Sequence, residues 1–514
     1  MPIRTVNIIG AGVSGLSAGI YLQMNGFQTE IFEKHNIPGG LCTGWRKGDY
    51  WIDGCAQWIL GSDTGSGFHK IWNELIDTSS MSWVNHEVRM SLELKSSRDR
   101  YGGNVFHFFT NLRRLEDYMV DLSPDDAAAI RQFTGYVREV QKYDLPPVPE
   151  DLPLMPSMIR GLKMARYAGF GWLYLQVMRQ TNLTFARQFR SPFLREAFEM
   201  IYDGVEVNLM VLLFPMACFD RKSAGYPIGG SFALAKKLEE RYLSLGGKVH
   251  YHTPVHKILV EDNTARGLVV RHEAVRPSDI TLSAADWHFT VFEALEGKYA
   301  TQAMIDLMEG RSLELFWSVV QCSFGINRDL SHLPHLTRFP LDEELVSPDS
   351  TVYPRLEMHI YHYDPTMAPP GKSTVVVSFY TRERNYWLNL RRTNRAHYRS
   401  VKNDFLERVL DRLDRRLGGI RSLVEMTDIA TPATFHRYTH NWQGSVQGFL
   451  PGKHLLADIP IRSTLPGLKN FFYSSHWSVP VGGLPQAIRG ARDVARRICH
   501  QSGIRMITNV ARPR

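Results

Sequence analysis

The chain has 514 residues, 44% of them apolar and 22% charged, which excludes a disordered polymer and allows two or three globular domains. Its net charge of +8 is spread without any long run of basic residues, so nucleic acid is not an expected partner. Five widely spaced cysteines lack a Cys-x-x-Cys pair, so we expect no metal site, no disulfide framework and a reducing cytoplasm. No apolar run approaches the ~20 residues needed to cross a bilayer.

The start of the chain predicts a nucleotide-binding βαβ unit. A short apolar strand, VNII, runs into Gly10, Gly12 and Gly15 of a Gly-x-Gly-x-x-Gly pattern. A helical pattern follows to Gly26, and a second strand, QTEIF, leads to Glu33. Glycines at these positions permit a tight turn, the approach of a pyrophosphate to the backbone, and close packing of helix on strand. Glu33 would bind an adenosine ribose and repel a 2′-phosphate, which leaves FAD or NAD.

The next segment, IPGGLCTGWRKGDYWIDGCAQW, contains a glycine pair and an Ile-Asp-Gly-x-x-x-Trp pattern. It resembles the flavoprotein family of phytoene desaturases, carotenoid isomerases and retinol saturases. In that family the glycine pair, here Gly39–Gly40, passes close to the phosphates and ribityl chain of the flavin. The segment from Asp53 to Trp58 corresponds to the one that leads toward the flavin ring. Leu41 stands where the related amine oxidases have an arginine, so the resemblance implies FAD and points away from the amine oxidase branch.

Two segments in the middle of the chain extend the resemblance. GGSFALAKKLEERYLSLGG predicts a helix, and KVHYHTPVHKILVEDNTARGLVV alternates like two strands with a turn at Asp262–Asn263. In similar flavoproteins this unit covers the adenine, and the residue at the position of Val255 contacts it through its backbone. The segment DITLSAADWHF resembles the family's returning strand and leads to Ala285.

The segment SSHWSVPVGGLPQAIRG resembles the closing motif of the family, in which the chain returns to the flavin. Gly483, Leu484 and Pro485 open a helical pattern, and proline suits a first helical turn. The free N–H groups of that turn would favour an anion or an electron-rich flavin edge. The family usually has an acidic residue shortly before the glycines, whereas this chain has His476 and Trp477 in that neighbourhood.

Four side chains are candidates for the reaction centre. Trp58 is a candidate platform for flavin or substrate, and His440, His476 and Trp477 are candidates to approach the flavin face. The alternative for each histidine is a structural role, and for each tryptophan a place in the core. The predicted cofactor-binding residues are Gly10, Gly12, Val13, Ser14, Gly15, Glu33, Lys34, Gly39, Gly40, Leu41, Trp58, Val255, Ala285, Gly483, Leu484 and Pro485.

The predicted fold is an α/β protein with a discontinuous, Rossmann-type FAD-binding domain and an inserted substrate domain of mixed or antiparallel sheet with a helical cap. We expect the FAD-binding domain over residues 1–60, 221–300 and 445–514, and the substrate domain over 61–220 and 301–444. The cap is expected at approximately 150–200, where basic residues interleave with apolar ones. This segment either packs as a cap or lies on an anionic membrane surface.

The resemblance implies an FAD-dependent oxidoreductase acting on C–C or C=C bonds of a hydrophobic polyene by hydride transfer to or from flavin N5. Desaturation, saturation and reductive cyclisation in natural-product tailoring all fit. The chain has no second Gly-x-Gly-x-x-Gly pattern, so NADPH is expected at most as a transient reductant. A redox-neutral polyene isomerase using reduced FAD and a non-catalytic, flavin-bearing lipid-binding protein are the alternatives. We expect a cytoplasmic protein, with peripheral membrane contact left open.

Overall fold

The computed structural model describes residues 4–95, 103–143, 168–450, 461–478 and 482–509. The strands within these ranges are β1 Thr5–Ile9, β2 Gln28–Phe32, β3 Gly44–Lys47, β4 Tyr50–Asp53, β5 Ile59–Leu60, β6 Trp83–Val84, β7 Val88–Glu93, β8 Val105–Phe109, β9 Ala224–Pro227, β10 Lys248–His250, β11 Val255–Glu261, β12 Thr264–Val270, β13 Ala274–Pro277, β14 Ile280–Ser283, β15 Ser318–Ile326, β16 Leu336–Val346, β17 Val352–Ile360, β18 Ser373–Thr381, β19 Val424–Ala430 and β20 Phe471–Tyr473.

The α-helices within the same ranges are α1 Val13–Met24, α2 Gly67–Leu75, α3 Leu112–Leu122, α4 Ala127–Gln141, α5 Ala168–Val177, α6 Asn182–Ala186, α7 Pro192–Met200, α8 Met210–Asp220, α9 Gly230–Ser244, α10 Gln302–Met308, α11 Arg384–Thr393, α12 Arg395–Leu417, α13 Pro432–Thr439 and α14 Leu484–Gln501. A π-helical turn spans Phe289–Ala294. Short 3₁₀ turns occur at Thr78–Ser80, Pro124–Asp126, Arg271–Glu273, Arg421–Leu423, Trp442–Gly444 and His476–Ser478.

A five-stranded parallel sheet in the order β10-β2-β1-β14-β20 forms the nucleotide-binding part of the fold. In the central strand, Val6 pairs with Thr29 of β2 on one side and with Ile280 of β14 on the other. The five strands come from widely separated parts of the chain, which confirms the predicted discontinuous Rossmann-type fold. The predicted turn between β11 and β12 is also confirmed, because Asp262 and Asn263 both have positive φ.

Helices cover one face of this sheet. The apolar side chains of α1, α9 and α14 pack there with those of β1 and β14 in one buried cluster. On the other face, Trp287, Phe449 and Trp477 form a second buried cluster with the antiparallel sheet β11-β12-β13. The parallel sheet is therefore buried on both faces, as strands of continuous apolar sequence such as VNII require.

A seven-stranded sheet in the order β19-β15-β18-β17-β16-β7-β8 forms the inserted part of the fold. Its neighbours are antiparallel except β16 and β7, which run parallel, so the predicted mixed or antiparallel sheet is confirmed. Helix α12 packs against it through buried residues such as Phe405 and Val409. The Asn394 side chain caps the start of that helix by accepting from the His397 N–H at 3.0 Å.

Helices α3 to α8 pack together beside strands β7 and β8. Residues 144–167, which include the start of the predicted cap, lie outside the described ranges. The described part of the cap is helical, and Trp172 and Leu175 of α5 are 61% and 68% exposed. Within the described residues, no helix has the length and apolarity that a membrane span requires. Contact of the cap with a membrane surface stays a prediction, as do the domain boundaries.

Candidate functional site: a dinucleotide cradle between distant segments

The backbone of the first glycine turn requires glycine at two positions, Gly10 and Gly15, whether or not a ligand is bound. Gly10 has φ +95°, and its N–H donates to the Phe32 carbonyl of β2 at 2.9 Å. A Cβ on Gly15 would lie 2.0 Å from the Gly10 carbonyl oxygen, so only glycine fits there. Strand β1 and helix α1 are thereby brought close together, as the sequence predicts.

Gly12 needs another explanation. Its φ of −69° and ψ of 171° suit any residue, and a Cβ there would meet nothing closer than the Gly39 carbonyl at 3.9 Å. Its position at the start of α1 leaves the first N–H groups of that helix without a capping side chain. Space and uncapped N–H groups together make an anion-binding cradle, in which glycine permits a ligand to approach the backbone.

The glycine pair after β2 lies against this cradle. The Gly39 N–H donates to the Ala11 carbonyl at 2.8 Å, and a Cβ on Gly40 would lie 3.3 Å from the Gly12 Cα. Leu41 is partly buried against Trp45 and the residues of β15 and β19. The pair therefore connects the first turn to the edge of the inserted sheet.

Glu33 closes one side of the cradle. Its carboxylate accepts from the Ala11 N–H at 2.7 Å and from the His35 N–H at 2.8 Å. Burial raises the pKa of the Glu33 carboxyl, while these two N–H groups oppose the rise. Burial likewise lowers the pKa of the neighbouring Lys34 ammonium. A carboxylate fixed by the turn itself is suited to accept hydroxyl donors from a ribose placed over Gly12.

The C-terminal segment returns to the same turn. The Ser14 hydroxyl donates to the Ser474 carbonyl at 2.7 Å and lies 2.8 Å from the Ser474 hydroxyl. Helix α14 then begins after Gly483, with no side-chain cap and with Pro485 in its first turn. Leu484 packs against the cluster that contains α1. Helices α1 and α14 both begin without a side-chain cap. The hydrogen bond between Ser14 and Ser474 joins the segments from which these two helices begin.

Three further predicted cofactor residues, Val13, Val255 and Ala285, lie at the ends of the elements that surround the cradle. Val255 is buried at the start of β11. Ala285 follows β14, and its carbonyl accepts from the Tyr473 hydroxyl at 3.2 Å. Val13 is buried in the first turn of α1. Their contacts with a cofactor stay predictions.

The structure separates the four candidates for the reaction centre. His476 lies beside the C-terminal glycine pair, since a Cβ on Gly482 would be 3.2 Å from its ring. Burial lowers the pKa of His476 to about 4, and its Nε2 has no hydrogen-bond partner among the described residues. Trp477 is fully buried and donates to Asn441 at 3.4 Å, in the environment of a core residue.

His440 lies in a different place. Its Nε2 is 3.8 Å from Glu293, its ring centroid is 5.0 Å from that of Phe289, and Lys34 contributes to its electrostatic environment. Burial lowers the pKa of His440 to about 4. It therefore belongs to the Glu33–Lys34 side of the cradle, and among the described residues no hydrogen bond or ring contact joins it to His476.

Trp58 is partly buried on the side of the inserted domain. Its ring packs edge-on against Phe219 of α8, with centroids 5.3 Å apart. The Arg89 guanidinium lies 5.5 Å from the other ring of this pair, that of Phe219. The structure thus places Trp58 between the parallel-sheet core and the inserted sheet.

Asp53 has a role that the sequence pattern does not reveal. Its buried carboxylate accepts from the Cys55 N–H at 2.9 Å and from the Ser231 N–H and hydroxyl at 2.9 and 2.7 Å. It thereby caps helix α9, and a Cβ on Gly230 would lie 2.5 Å from it. The Asp53 side chain therefore occupies the space beside Gly230 at the N-terminus of α9. The N-termini of α1 and α14 have no such side-chain cap.

The comparisons with known proteins agree with this geometry. The family profile of NAD(P)-binding Rossmann-like domains matches residues 8–75. A phytoene desaturase of Phycomyces blakesleeanus is 21% identical over 98% of this chain and 87% of its own length. A lycopene-forming phytoene desaturase of a Paracoccus species is 22% identical over 96% of this chain and 97% of its own length. An oxidoreductase of known structure from Methanosarcina mazei superposes with a TM-score of 0.57 at 17% identity, over 95% of this chain and 99% of its own.

Fold and cradle together define a dinucleotide-dependent oxidoreductase with one Rossmann-type domain and an inserted sheet domain. The relatives that match nearly the whole chain confirm the predicted resemblance. The chain is an FAD-dependent oxidoreductase that is similar to phytoene desaturases over nearly its whole length.

Proposed function

We propose that this enzyme adds or removes hydrogen across C–C or C=C bonds of a hydrophobic, polyene-type substrate. The observation that carries the proposal is the Ser14–Ser474 contact, because it closes the nucleotide cradle with a segment from the far end of the chain. A cofactor that is enclosed by segments from both ends of the chain would stay bound through turnover. This suits a flavin better than a nicotinamide that exchanges in each cycle. The relatives named phytoene desaturase supply the substrate class.

The residues of the cradle fit FAD. Gly12 and the uncapped N–H groups of α1 would hold the pyrophosphate, and Glu33 the adenosine ribose. Gly39–Gly40 and the start of α14 would enclose the flavin half. FAD, when bound, supplies a ring that takes up or releases a hydride at N5. NADPH, as a visiting reductant without a domain of its own, would serve the saturating direction or supply the reduced FAD of an isomerase.

His476 is the proposed proton-handling residue. It is neutral at pH 7 because burial lowers its pKa to about 4, and it adjoins the glycine pair before α14. A neutral imidazole with an unpartnered Nε2 can take up a proton that a substrate carbon loses. In the saturating direction the same group would need its proton from solvent.

On the side of the inserted domain, the Trp58 ring is partly buried and packs edge-on against Phe219 of α8, with centroids 5.3 Å apart. We place the apolar substrate beside this aromatic pair, because apolar and aromatic side chains line most sites for such ligands.

The decisive experiment is anaerobic mixing of the purified, yellow protein with candidate reductants and substrates. Bleaching of the flavin absorption by NADPH indicates saturation or reductive cyclisation, and bleaching by phytoene or retinol alone indicates desaturation. Geometric isomers formed only by pre-reduced protein, with no net redox change, indicate the isomerase. A protein that is colourless and binds no FAD, or whose flavin no reductant or polyene reduces, would refute the proposal.

A further inference from the structure

A cluster of polar side chains lies beside strand β7. A pure hydrocarbon substrate has no hydrogen-bonding or charged group that these side chains could bind. The rings of His86 and His335 stack with centroids 3.6 Å apart, and Tyr363 stands edge-on to His86 at 4.4 Å. His359 Nε2 lies 2.8 Å from the Tyr363 hydroxyl. Burial is the main cause that lowers the pKa values of His86 and His359, and the charge of Arg89 in β7 is the next. The residues Arg89, His86, His335, His359 and Tyr363 are called the Arg89 cluster below.

Arg89 is a cation in the interior whose described contacts are an amide oxygen and an aromatic ring. Its Nη2 donates to the Gln57 side-chain oxygen at 2.7 Å, and its guanidinium lies 5.5 Å from the Phe219 ring. No carboxylate of the described residues forms an ion pair with it. Glu357 contributes favourably to its electrostatics but is itself paired with Arg338. Because a guanidinium does not lose its proton, burial of this charge calls for an anionic partner.

The imidazole rings of His86 and His335 lie in the same cluster as the Arg89 cation and can donate hydrogen bonds while uncharged. Burial lowers the pKa of His86 to about 4, and burial with Arg89 nearby also lowers the pKa values of His335 and His359. Two stacked imidazolium rings would repel each other, so His86 and His335 are neutral. The Nε2 atoms of both rings are buried without a hydrogen-bond partner among the described residues. Each ring can therefore offer one N–H to an acceptor.

The rings do not form a metal site. His86 and His335 are stacked nearly parallel, with an interplanar angle of 10°, so their nitrogens do not converge on one point. Among the described residues, no group of three or more His, Cys, Asp or Glu side chains is arranged to hold a metal ion.

The Arg89 cluster is linked to the cofactor side of the molecule. Gln57, which accepts from Arg89, stands four residues after the helix-capping Asp53. The Tyr226 hydroxyl lies 3.5 Å from Asp53, and its ring contacts Tyr363 at 5.1 Å. The Phe219 ring that lies 5.5 Å from the Arg89 guanidinium also packs against Trp58. The cluster thus borders the aromatic pair beside which the substrate is proposed.

We propose that the Arg89 cluster is a binding subsite for an anionic oxygen group, such as a carboxylate, at one end of an otherwise apolar substrate. Arg89 would pair with the anion, and His86 and His335 would donate to its oxygens. This inference rests on the proposed function for the position of the substrate. It narrows the substrate class from a hydrocarbon to an amphiphilic acid.

The test measures binding of all-trans-retinoic acid and of its methyl ester to the FAD-loaded protein, by the change in flavin absorption. The acid should bind about 10- to 100-fold more tightly than the ester, because charge-assisted hydrogen bonds are made only to the acid. In Arg89→Met the ratio of the two dissociation constants should fall to about one. Arg89→Lys keeps the positive charge but loses the paired N–H donors of the guanidinium. It should therefore retain part of the preference for the acid over the ester.

The matched control is Arg384→Met. Arg384 also donates to a glutamine, Gln443, at 3.2 Å but lies outside the cluster, so its variant should keep the full preference for the acid. A second measurement compares the thermal stabilisation given by benzoate with that given by neutral benzamide, in wild type and Arg89→Met. Equal binding of acid and ester, or of benzoate and benzamide, by the wild type overturns the subsite, as does a preference that persists in Arg89→Met. A benzoate preference in a protein that fails every redox test would refute the proposed function and leave the subsite standing.

Discussion

The glycines of the first turn show how one motif combines folding and binding requirements. Gly10 and Gly15 are fixed by the chain itself, one through its positive φ and the other through the carbonyl at 2.0 Å from its missing Cβ. Gly12 has neither constraint. Its side-chain position faces open space at an uncapped helix N-terminus, so its identity reflects a ligand.

Replacing Gly12 with valine should therefore abolish cofactor retention without unfolding the protein. The backbone there accepts any residue, and the added side chain would occupy the place of the pyrophosphate. We expect the flavin-to-protein absorbance ratio of the purified variant to fall about tenfold or more, because the cofactor is lost during purification.

Gly135→Ala is the control for the Gly12 variant. Gly135 lies inside α4 with nothing within 4 Å of its Cβ position, so the variant should keep its flavin and gain about 0.5–1 kcal/mol of stability. Normal flavin content in the Gly12 variant would contradict the assignment of the cradle.

His476 should make stability depend on pH. Its folded pKa of about 4 lies below the ordinary value of 6.5, so the unfolded chain binds the extra proton. Its contribution is complete above pH 6.5 and is lost as the pH falls toward 4. His476→Phe should thus gain up to about 3 kcal/mol relative to the wild type between pH 7 and pH 4, measured by urea unfolding. A difference that stays constant over this range would show that the pKa of His476 is not lowered in the folded protein.

At the scale of elements, Asp53 connects pieces that the chain order separates. Its carboxylate joins the turn after β4 to the start of α9, and its backbone carbonyl accepts from Gln321 of β15 at 3.0 Å. The parallel-sheet domain and the inserted sheet are thus joined at one buried residue, through its side chain on one side and its backbone on the other. Burial raises the pKa of Asp53, and its four N–H and O–H donors offset that effect.

Asp53→Asn should cost about 2–4 kcal/mol in the free energy of unfolding. The amide would put N–H groups against the donors of Ser231 and Cys55, leaving buried groups unpaired. Denaturant unfolding measures the loss. Asp49→Asn, at a 76% exposed side chain of the β3–β4 hairpin, should change stability by less than about 0.5 kcal/mol. Equal effects of the two variants would argue against the cap.

These elements also show what sequence reasoning reaches. The turns and helices around Gly12, Asp262–Asn263 and Pro485 follow from local preference, and the sequence predicts them correctly. The partners of Asp53 and Arg89 lie far away along the chain, so no local pattern indicates them. His440 and His476 look equivalent in sequence, and only the tertiary fold separates them.

At the scale of the molecule, helices from three parts of the chain share one buried ionic link. The Arg492 guanidinium of α14 donates to both carboxylate oxygens of Glu74 in α2, at 2.7 and 2.9 Å. The Tyr21 hydroxyl of α1 donates to the same carboxylate at 2.7 Å. This link fixes α14 where it packs along the helix of the first glycine turn.

Glu74→Gln should loosen that assembly. We expect a loss of about 1–3 kcal/mol in unfolding free energy, because two charge-assisted bonds are weakened and the Arg492 charge is left without its partner. The midpoint of flavin release during urea unfolding should fall together with that of the protein fluorescence.

Asp306→Asn is the matched control for Glu74→Gln, since the Asp306–Arg311 pair lies on the surface and should contribute at most about 1 kcal/mol. Flavin release that is unchanged in Glu74→Gln would mean that the position of α14 does not depend on this link.

The hydrogen bond between Ser14 and Ser474 also has a consequence for biosynthesis. At about 5–20 residues per second, the ribosome needs roughly half a minute to a minute and a half between these two serines. In the later part of that interval, once Ser283 has been made, β14 still lacks its neighbour β20 and has an open strand edge. The nascent chain must therefore stay soluble with an unfinished sheet, and it can enclose its cofactor only after Ser474 has been made.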